Sequence, residues 1–366
     1  MELSLTQENF TKALSACSRI ATNKAGLPVL NNILLRTEKN RLLVAATNLE
    51  LASATYIPAK VAKQGSITIP ARLITEFVAN LPKGTIELSA KTTHLTLKCG
   101  GYTSTLNGID ADEFPELPTI DEKTSIHYSL NPPEFKQAVS QTSFACSNDV
   151  TRPVLTGVFW HSHEGSLYLV GSDGHHLSER RLIETSSELA ALIPTSTLHE
   201  ILRLISDSTT EVDIRFDESQ VRFRVGDTEI TSRLIDGKYP DYRQLIRVTN
   251  EYRADVATSD LSRTTKIAAL FARESGGSVT LSLDEETKLL SLQSVASEAG
   301  ENSSEIPAAI TGNGSVSLNS RYLTEVLAVI DADTIRIEFS GKLAPITITP
   351  ATEKPDFTHI IMPLKS

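Results

Sequence analysis

The chain has 366 residues, of which 40% are hydrophobic and 22% charged, a composition typical of an ordinary globular protein. Its formal net charge of −10 argues against a simple nucleic-acid-binding protein, which normally carries a basic excess. No apolar run approaches the roughly 18–20 residues that a membrane-spanning helix needs.

The first predicted element is an amphipathic helix over about Gln7–Ala21, with Thr6 in the N-cap position. Two strands joined by a polar hairpin turn follow, Asn32–Thr37 and Arg41–Ala46. After a third strand comes a second amphipathic helix, Ala71–Leu81. The closing strands are predicted at Thr85–Ser89, Leu95–Cys99 and Tyr102–Asn107.

The same order of elements returns twice along the chain. Further first helices are predicted from about Pro132 and from Asp260, and further second helices at Thr195–Ile205 and Ser320–Ile330. The matching hairpins are Gly157–His161 with Ser166–Gly171, and Ser278–Leu283 with Lys288–Gln293.

Short sequence landmarks also recur at a spacing of about 125 residues. Pro28–Asn31 returns as Pro153–Thr156, and Glu113–Pro115 returns as Lys238–Pro240. A long, constant period indicates a duplicated domain, whereas short periods are typical of solenoids. We therefore predict an α+β protein with three tandem copies of one domain, each with two helices packed on antiparallel sheets. The predicted domains are residues 1–120, 121–247 and 248–366.

The cysteines and the N-terminus favour a reducing compartment. Cys17, Cys99 and Cys146 are too few and too scattered for a disulfide framework or a zinc site, so buried structural thiols are expected. The N-terminus lacks the basic segment and apolar core of a signal peptide. A cytoplasmic protein is the prediction.

No catalytic motif is found. The sequence has no phosphate-binding glycine loop, no HExxH and no GxSxG, and no cofactor is predicted. One histidine cluster could in principle bind a metal, but the other copies lack matching ligands and a solvated or partner-contacting role is favoured. The cluster comprises His161, His163, Asp173, His175 and His176.

Basic residues concentrate on the predicted helices, and acidic residues lie more often in strands and loops. This pattern fits either solvated helix faces or a basic surface that faces a polyanion inside an acidic shell. The basic residues include Lys12, Lys24, Arg72, Lys136, Arg203, Arg263 and Lys266.

Several stretches, taken in order, resemble the bacterial DNA polymerase III β subunits, the sliding clamps. The resemblance spans the whole chain, and its pieces are specific together although each is weak alone. They are Leu27–Asn32, Ala46–Glu50, Ile69–Arg72, Asp112–Pro115, Thr151–Gly157, Ser172–His175, Arg233–Tyr242 and Ile361–Leu364.

The resemblance implies a non-enzymatic processivity factor. The family forms head-to-tail homodimers, closed into rings whose helices line a hole around duplex DNA. The implied partners are double-stranded DNA, the polymerase III catalytic subunit, the clamp loader, and other replication and repair proteins that dock through short peptide motifs; no membrane is implied. Lys24, Arg72 and Arg152 match family positions near DNA, whereas the other helix cations are inferred from placement.

The resemblance also implies a hydrophobic pocket for partner peptides. Aliphatic walls, an adaptable methionine and a few polar rim residues suit a short peptide anchor. His176, Gln244 and the tail Lys365-Ser366 depart from the pattern common in proteobacteria, which affects the expected partner preference. The matching residues are Leu155, Ser172, Gly174, His175, Leu177, Pro240, Leu245, Ile360, Ile361, Met362 and Pro363.

Ring closure would join the first domain to the third. Leu106 and Ile109 in the first copy, and Leu270 and Phe271 in the third, are candidate apolar contacts. Two alternatives remain open: a clamp-like docking scaffold that does not encircle DNA, suggested by the net charge, and a metal-dependent enzyme that uses the histidine cluster.

Overall fold

The computed structural model describes residues 1–21, 26–246, 250–296 and 300–364. Its elements follow one order three times: a strand, a helix, four or five strands, a second helix and three strands. All strand pairs are antiparallel, and the predicted α+β class is confirmed.

The first copy holds helices α1 (Gln7–Ser18) and α2 (Ala71–Ala79). Its strands are β1 (Glu2–Thr6), β2 (Asn32–Glu38), β3 (Arg41–Thr47), β4 (Leu51–Pro58), β5 (Lys60–Lys63), β6 (Ser66–Pro70), β7 (Thr85–Lys91), β8 (His94–Cys99) and β9 (Tyr102–Asn107).

The second copy holds helices α3 (Pro132–Ser143) and α4 (Thr195–Leu204), and the short helix α5 (Arg243–Ile246) follows it. Its strands are β10 (Ile126–Leu130), β11 (Gly157–His163), β12 (Ser166–Ser172), β13 (His176–Glu184), β14 (Ala190–Pro194), β15 (Val212–Phe216), β16 (Gln220–Val225) and β17 (Thr228–Arg233).

The third copy holds helices α6 (Thr258–Ala272) and α7 (Ser320–Val329). Its strands are β18 (Tyr252–Ala257), β19 (Ser278–Asp284), β20 (Leu289–Ala296), β21 (Gly300–Thr311), β22 (Gly314–Asn319), β23 (Thr334–Phe339), β24 (Ile346–Pro350) and β25 (Phe357–Ile361). None of the helices in the described ranges is long and apolar enough to cross a membrane.

Side-chain capping explains some of the helix starts and not others. Thr6 caps α1, since its side chain accepts a hydrogen bond from the Asn9 N–H at 3.4 Å, as predicted. The start predicted at Asp260 is wrong by two residues. Strand β18 leads directly into α6, and the Thr258 N–H donates to the Asp333 carbonyl at 2.9 Å, so no side-chain cap is needed.

The chain divides into two compact units, residues 1–132 with 196–234, and residues 133–195 with 235–366. The first contains a five-stranded sheet, β5-β1-β7-β8-β9, and an eight-stranded sheet, β10-β15-β16-β17-β4-β3-β2-β6. The second contains one twelve-stranded sheet, β14-β11-β12-β13-β25-β24-β23-β18-β21-β20-β19-β22. The second copy therefore contributes strands to both units.

Each of the two larger sheets is continuous across a junction between copies. In the first unit β4 pairs with β17, with Ala52 opposite Thr231; we call this pair the first seam. In the second unit β13 pairs with β25, with Leu177 opposite Ile360; we call this pair the second seam. Both seams join the third long strand of one copy to the last strand of the next.

Candidate functional site

A pocket of about 150 Å³ lies at the second seam. It is formed by the end of β12, the start of β13, the segment 239–245 and the last strand. All predicted pocket residues line it except Ile361 and Pro363. The lining residues are Leu155, Ser172, Gly174, His175, His176, Leu177, Tyr239, Pro240, Asp241, Tyr242, Leu245, Ile360 and Met362.

The structure contradicts the placement of Ile361 in this pocket. Side chains alternate between the two faces of a strand, so neighbours in β25 point to opposite sides. Ile360 packs with Leu155 and Leu177 in the apolar cluster at the pocket. Ile361 is fully buried in the core of the third copy, beside residues such as Val326. Pro363 follows the strand and does not line the pocket either.

A tight turn shapes one wall of the pocket. Gly174 has a φ of 92°, a conformation that favours glycine. The Asp173 carboxylate accepts the N–H groups of His175 and His176 at 2.8 and 3.0 Å, and fixes the turn. The Met362 N–H donates to the His175 carbonyl at 2.9 Å, which ties the end of the chain to this wall.

The floor of the pocket contains a buried imidazole. His176 is 3% exposed and stacks on the Tyr322 ring of α7, with the ring centroids 4.1 Å apart. Burial lowers the pKa of His176 to about 4, although Asp173 lies 3.6 Å away. Next to it, the fully buried His359 shares a hydrogen bond of 2.7 Å with the Ser178 hydroxyl. Burial also lowers the pKa of His359, so both rings are neutral at neutral pH, and His176 is the one that lines the pocket.

The opposite wall rests on a buried polar network. Tyr242 donates its hydroxyl hydrogen to Glu179, and the His161 Nε2 lies 2.6 Å from the same hydroxyl. Arg243 forms an ion pair with Glu179 at 3.3 Å and stacks over the Tyr168 ring. Burial raises the pKa of Glu179 and lowers the pKa of His161 to about 4.

The histidine cluster was predicted to be solvated or to contact a partner, and the structure corrects the solvated alternative for two of its members, whereas His175 is exposed. His161 and His176 are buried and engaged with tyrosines, because each lies on the core side of its strand. Within the described ranges, no group of three or more His, Cys, Asp or Glu residues is placed to hold a metal ion.

Aromatic stacking holds the segment that carries Tyr239 and Pro240. The Phe159 ring lies between the rings of Tyr239 and His161, with both centroid distances at 4.8 Å. Sequence reasoning missed Tyr239 and Tyr242 as pocket residues. The recurrence of Phe114-Pro115 as Tyr239-Pro240 was the available signal, since Phe114 is also buried in an apolar cluster.

The arginines of the predicted basic surface are exposed and paired with carboxylates close in sequence. The distances are 2.9 Å for Arg72 to Glu76, 3.1 Å for Arg152 to Asp149 and 3.3 Å for Arg263 to Asp260, and Arg203 pairs with Glu200. Such exposed pairs are weak, so a phosphate can replace the carboxylate.

The predicted lysines differ from the arginines. Lys12 and Lys266 are exposed and Lys136 is half-buried, and none of them forms a salt bridge within the described part of the chain. Lys24 lies outside the described residues.

The candidate contacts for ring closure differ in exposure. Leu270 on α6 is 58% exposed, an unusual position for a large apolar residue, whereas Phe271 and Ile109 are half-buried. Leu106 is 7% exposed and pairs with Leu95 inside the five-stranded sheet, so it offers little surface. Leu270 is therefore the strongest of these candidates.

Comparisons with known proteins agree over the full length of the chain. Residues 1–118, 129–241 and 243–365 match, in order, the N-terminal, central and C-terminal domains of the DNA polymerase III beta subunit. The beta sliding clamp of Staphylococcus epidermidis is 31% identical, with 100% of both chains covered, and that of Staphylococcus aureus is 29% identical over the same extent.

Solved structures give the same result. The DNA polymerase sliding clamp of Bacillus subtilis is similar with a TM-score of 0.94 and 26% identity, covering 100% of this chain and 99% of that one. The DNA polymerase III subunit beta of Pseudomonas aeruginosa has a TM-score of 0.92 and 25% identity, with both chains fully covered. The fold is three tandem clamp domains.

Proposed function

The chain belongs to the DNA polymerase III beta subunit family, the beta sliding clamps, and from this premise we propose that it encircles duplex DNA as a head-to-tail homodimer. The observation that carries the proposal is the threefold repeat of one clamp domain over the whole chain. Retention on DNA is then topological, so the protein needs no strongly basic composition. Its role is non-catalytic, in the cytoplasm.

The basic helix faces would contact DNA without reading its sequence. Weak, exchangeable pairs such as Arg72 with Glu76 suit a surface that slides, because tight phosphate binding would slow movement. The proposed contact set is Lys12, Lys24, Arg72, Lys136, Arg152, Arg203, Arg263 and Lys266.

The pocket at the second seam would bind short peptides of the polymerase III catalytic subunit, the clamp loader and other replication and repair proteins. Its floor combines aliphatic side chains with the imidazole of His176, its rim is polar, and its volume fits one or two large apolar side chains. Met362 is 36% exposed at the edge and can adapt to different ligands.

Electron microscopy of the purified protein tests encirclement directly. We expect rings with a central pore and a pseudo-sixfold outline. Compact particles without a pore at every concentration would refute encirclement and support the docking scaffold. The net charge of −10 is the observation that supports this scaffold as the second candidate.

Neutralising Lys24, Arg72 and Arg152 together tests the DNA surface. Retention on circular DNA should fall, and its dependence on salt should become shallower, because fewer counterions are released. The matched control removes Lys60, Lys63 and Lys98, exposed lysines of the five-stranded sheet, and carries the same charge change. Equal losses in the two triple variants would contradict a specific DNA face.

Leu270→Glu tests the dimer. Sedimentation should show a shift from dimer to monomer, since a charge would enter an apolar contact. Leu343→Glu is the control, because Leu343 is 70% exposed and belongs to the loop between β23 and β24 rather than to α6. An unchanged dimer for Leu270→Glu would remove this residue from the interface.

A further inference from the structure

One face of the eight-stranded sheet carries a cluster of three arginines near the first seam. Arg215 of β15 lies directly opposite Arg222 of β16, and Arg224 follows two residues later on the same face. We call these residues the arginine cluster. Like charges directly opposite each other destabilise a sheet, so the cluster requires anions.

The carboxylate of Glu122, which lies outside the sheet, supplies one such anion at hydrogen-bonding distance from the cluster. Glu122 belongs to residues 117–125, which we call the strap, between the first and second copies. Its Oε1 lies 3.0 Å from Nη2 of Arg222, and its backbone carbonyl accepts from Arg215 at 3.4 Å. The Arg222 hydrogen bond and the nearby arginine charges lower the pKa of Glu122.

The arginine donors are under-used. The Nε atoms of Arg215 and Arg222 are buried and have no hydrogen-bond partner among the described residues. Asp213 approaches Arg215 at 3.8 Å and Arg224 at 3.9 Å, and Glu229 approaches Arg224 at 3.9 Å; all three distances are too long for a hydrogen bond. Asp213 is also engaged by His127 at 2.6 Å. Buried donors without acceptors are costly, and an added oxyanion would satisfy them.

Space is available beside the cluster. A cavity of about 130 Å³ lies under the strap, and Arg222 is the member of the cluster in its lining, together with Glu229, Thr119 and Thr231. This is roughly four times the volume of one water molecule, enough for a phosphate-sized anion. The cavity lies beside the first seam, as the pocket lies beside the second, and a segment that follows the last strands of a copy lines each of them.

We propose that the arginine cluster is a binding site for a small tetrahedral oxyanion, with Glu122 occupying the place of that ligand in the free chain. Guanidinium groups match phosphate in planar, two-pronged hydrogen bonds, which explains arginine rather than lysine at all three positions. Binding displaces Glu122 and releases the strap from the sheet. The site is independent of DNA encirclement and of the peptide pocket.

Calorimetric titration of the full chain with inorganic phosphate, at constant ionic strength in a chloride buffer, tests the site. Glu122→Gln removes the internal competitor and should tighten phosphate binding by at least about fivefold. Arg222→Gln should weaken it by a similar factor. Arg36→Gln is the matched control, since Arg36 is an exposed arginine of β2 in the same sheet, and it should bind as the unaltered chain does.

A second readout follows the strap itself. Phosphate should accelerate proteolysis within residues 117–125 of the unaltered chain and leave Glu122→Gln, already released, unchanged. Equal phosphate affinity in Glu122→Gln and the unaltered chain would overturn the proposal, as would equal losses in Arg222→Gln and Arg36→Gln. If Arg222→Gln fails to fold, Arg224→Gln replaces it, because the Arg224 side chain is 44% exposed.

Discussion

The two seams occupy equivalent positions in the repeat but differ in chemistry. At the second, the crossing segment 239–245 covers an apolar floor and rests on stacked aromatic rings and buried histidines. At the first, the strap covers a smaller cavity with arginine, glutamate and threonine in its lining. One duplicated architecture thus provides a hydrophobic pocket in one place and a charged cavity in the other.

Replacing an apolar floor residue should produce the largest difference between the seams. Ile360→Ala removes a side chain that is 1% exposed and should cost about 2–5 kcal/mol in the free energy of unfolding. Affinity for short fluorescent peptides with large apolar side chains should fall as well. Thr231→Ala in β17, the equivalent strand of the first seam, should cost about 1 kcal/mol or less. Urea denaturation and fluorescence anisotropy check both effects, and equal costs would contradict the comparison.

Acidification should loosen the second seam before the first. His161 and His176 have pKa values near 4 in the folded chain, below the ordinary 6.5, so the folded state binds fewer protons than the unfolded state. Their contribution to stability is complete above pH 6.5 and is lost as the pH falls towards 4, by about 2 kcal/mol per histidine between pH 6.5 and 5. The raised pKa of Glu179 opposes this loss in part, because its protonation favours the folded state.

The first seam depends on a carboxylate with the opposite behaviour. The pKa of Glu122 is lowered from 4.5, so its contribution persists until the pH falls below about 4.5. Hydrogen exchange, corrected for intrinsic rates and compared at pH 7 and 5, should therefore show loss of protection in β13 and β25 and little change in β4 and β17. Equal loss of protection at both seams would contradict the assignment of the histidines as the pH-sensitive groups.

Removing one buried hydroxyl should have a smaller effect. Tyr242→Phe deprives Glu179 and His161 of their shared partner and should cost about 1–3 kcal/mol, because a buried acceptor is left unsatisfied. Tyr56→Phe, at a half-buried tyrosine that lines the first-seam cavity, is the control and should be nearly neutral. Thermal denaturation measures both variants. A neutral Tyr242→Phe would show that the network does not support the pocket wall.

The features of the fold that depend on hydrophobic periodicity and on the threefold recurrence could be predicted from the sequence. The two amphipathic helices per copy, the hairpins and most of the pocket lining follow from local patterns and from the family resemblance. Prediction from the sequence failed where the contacts of a side chain depend on which strands become neighbours. The burial of His161 against Tyr242 and the position of Glu122 over Arg222 each join residues that are distant in sequence, and no local pattern reports such contacts. The face of Ile361 is different, because strand alternation already separates it from Ile360 and the prediction placed both residues in one pocket.

The subtlest contrast concerns the covering segments themselves. Glu122 is 60% exposed, so Glu122→Gln should leave the midpoint of thermal unfolding unchanged, because an exposed ion pair adds little to global stability. The strap, however, should be cleaved several-fold faster by a protease, since its hydrogen bond to Arg222 is weakened, and added salt should give the unaltered chain the same sensitivity.

Segment 239–245 should resist proteolysis under all these conditions, because Phe159 and Tyr242 hold it through stacking and buried hydrogen bonds that salt does not screen. Cleavage of both segments at one salt-dependent rate would mean that charge, rather than packing, also secures the second seam.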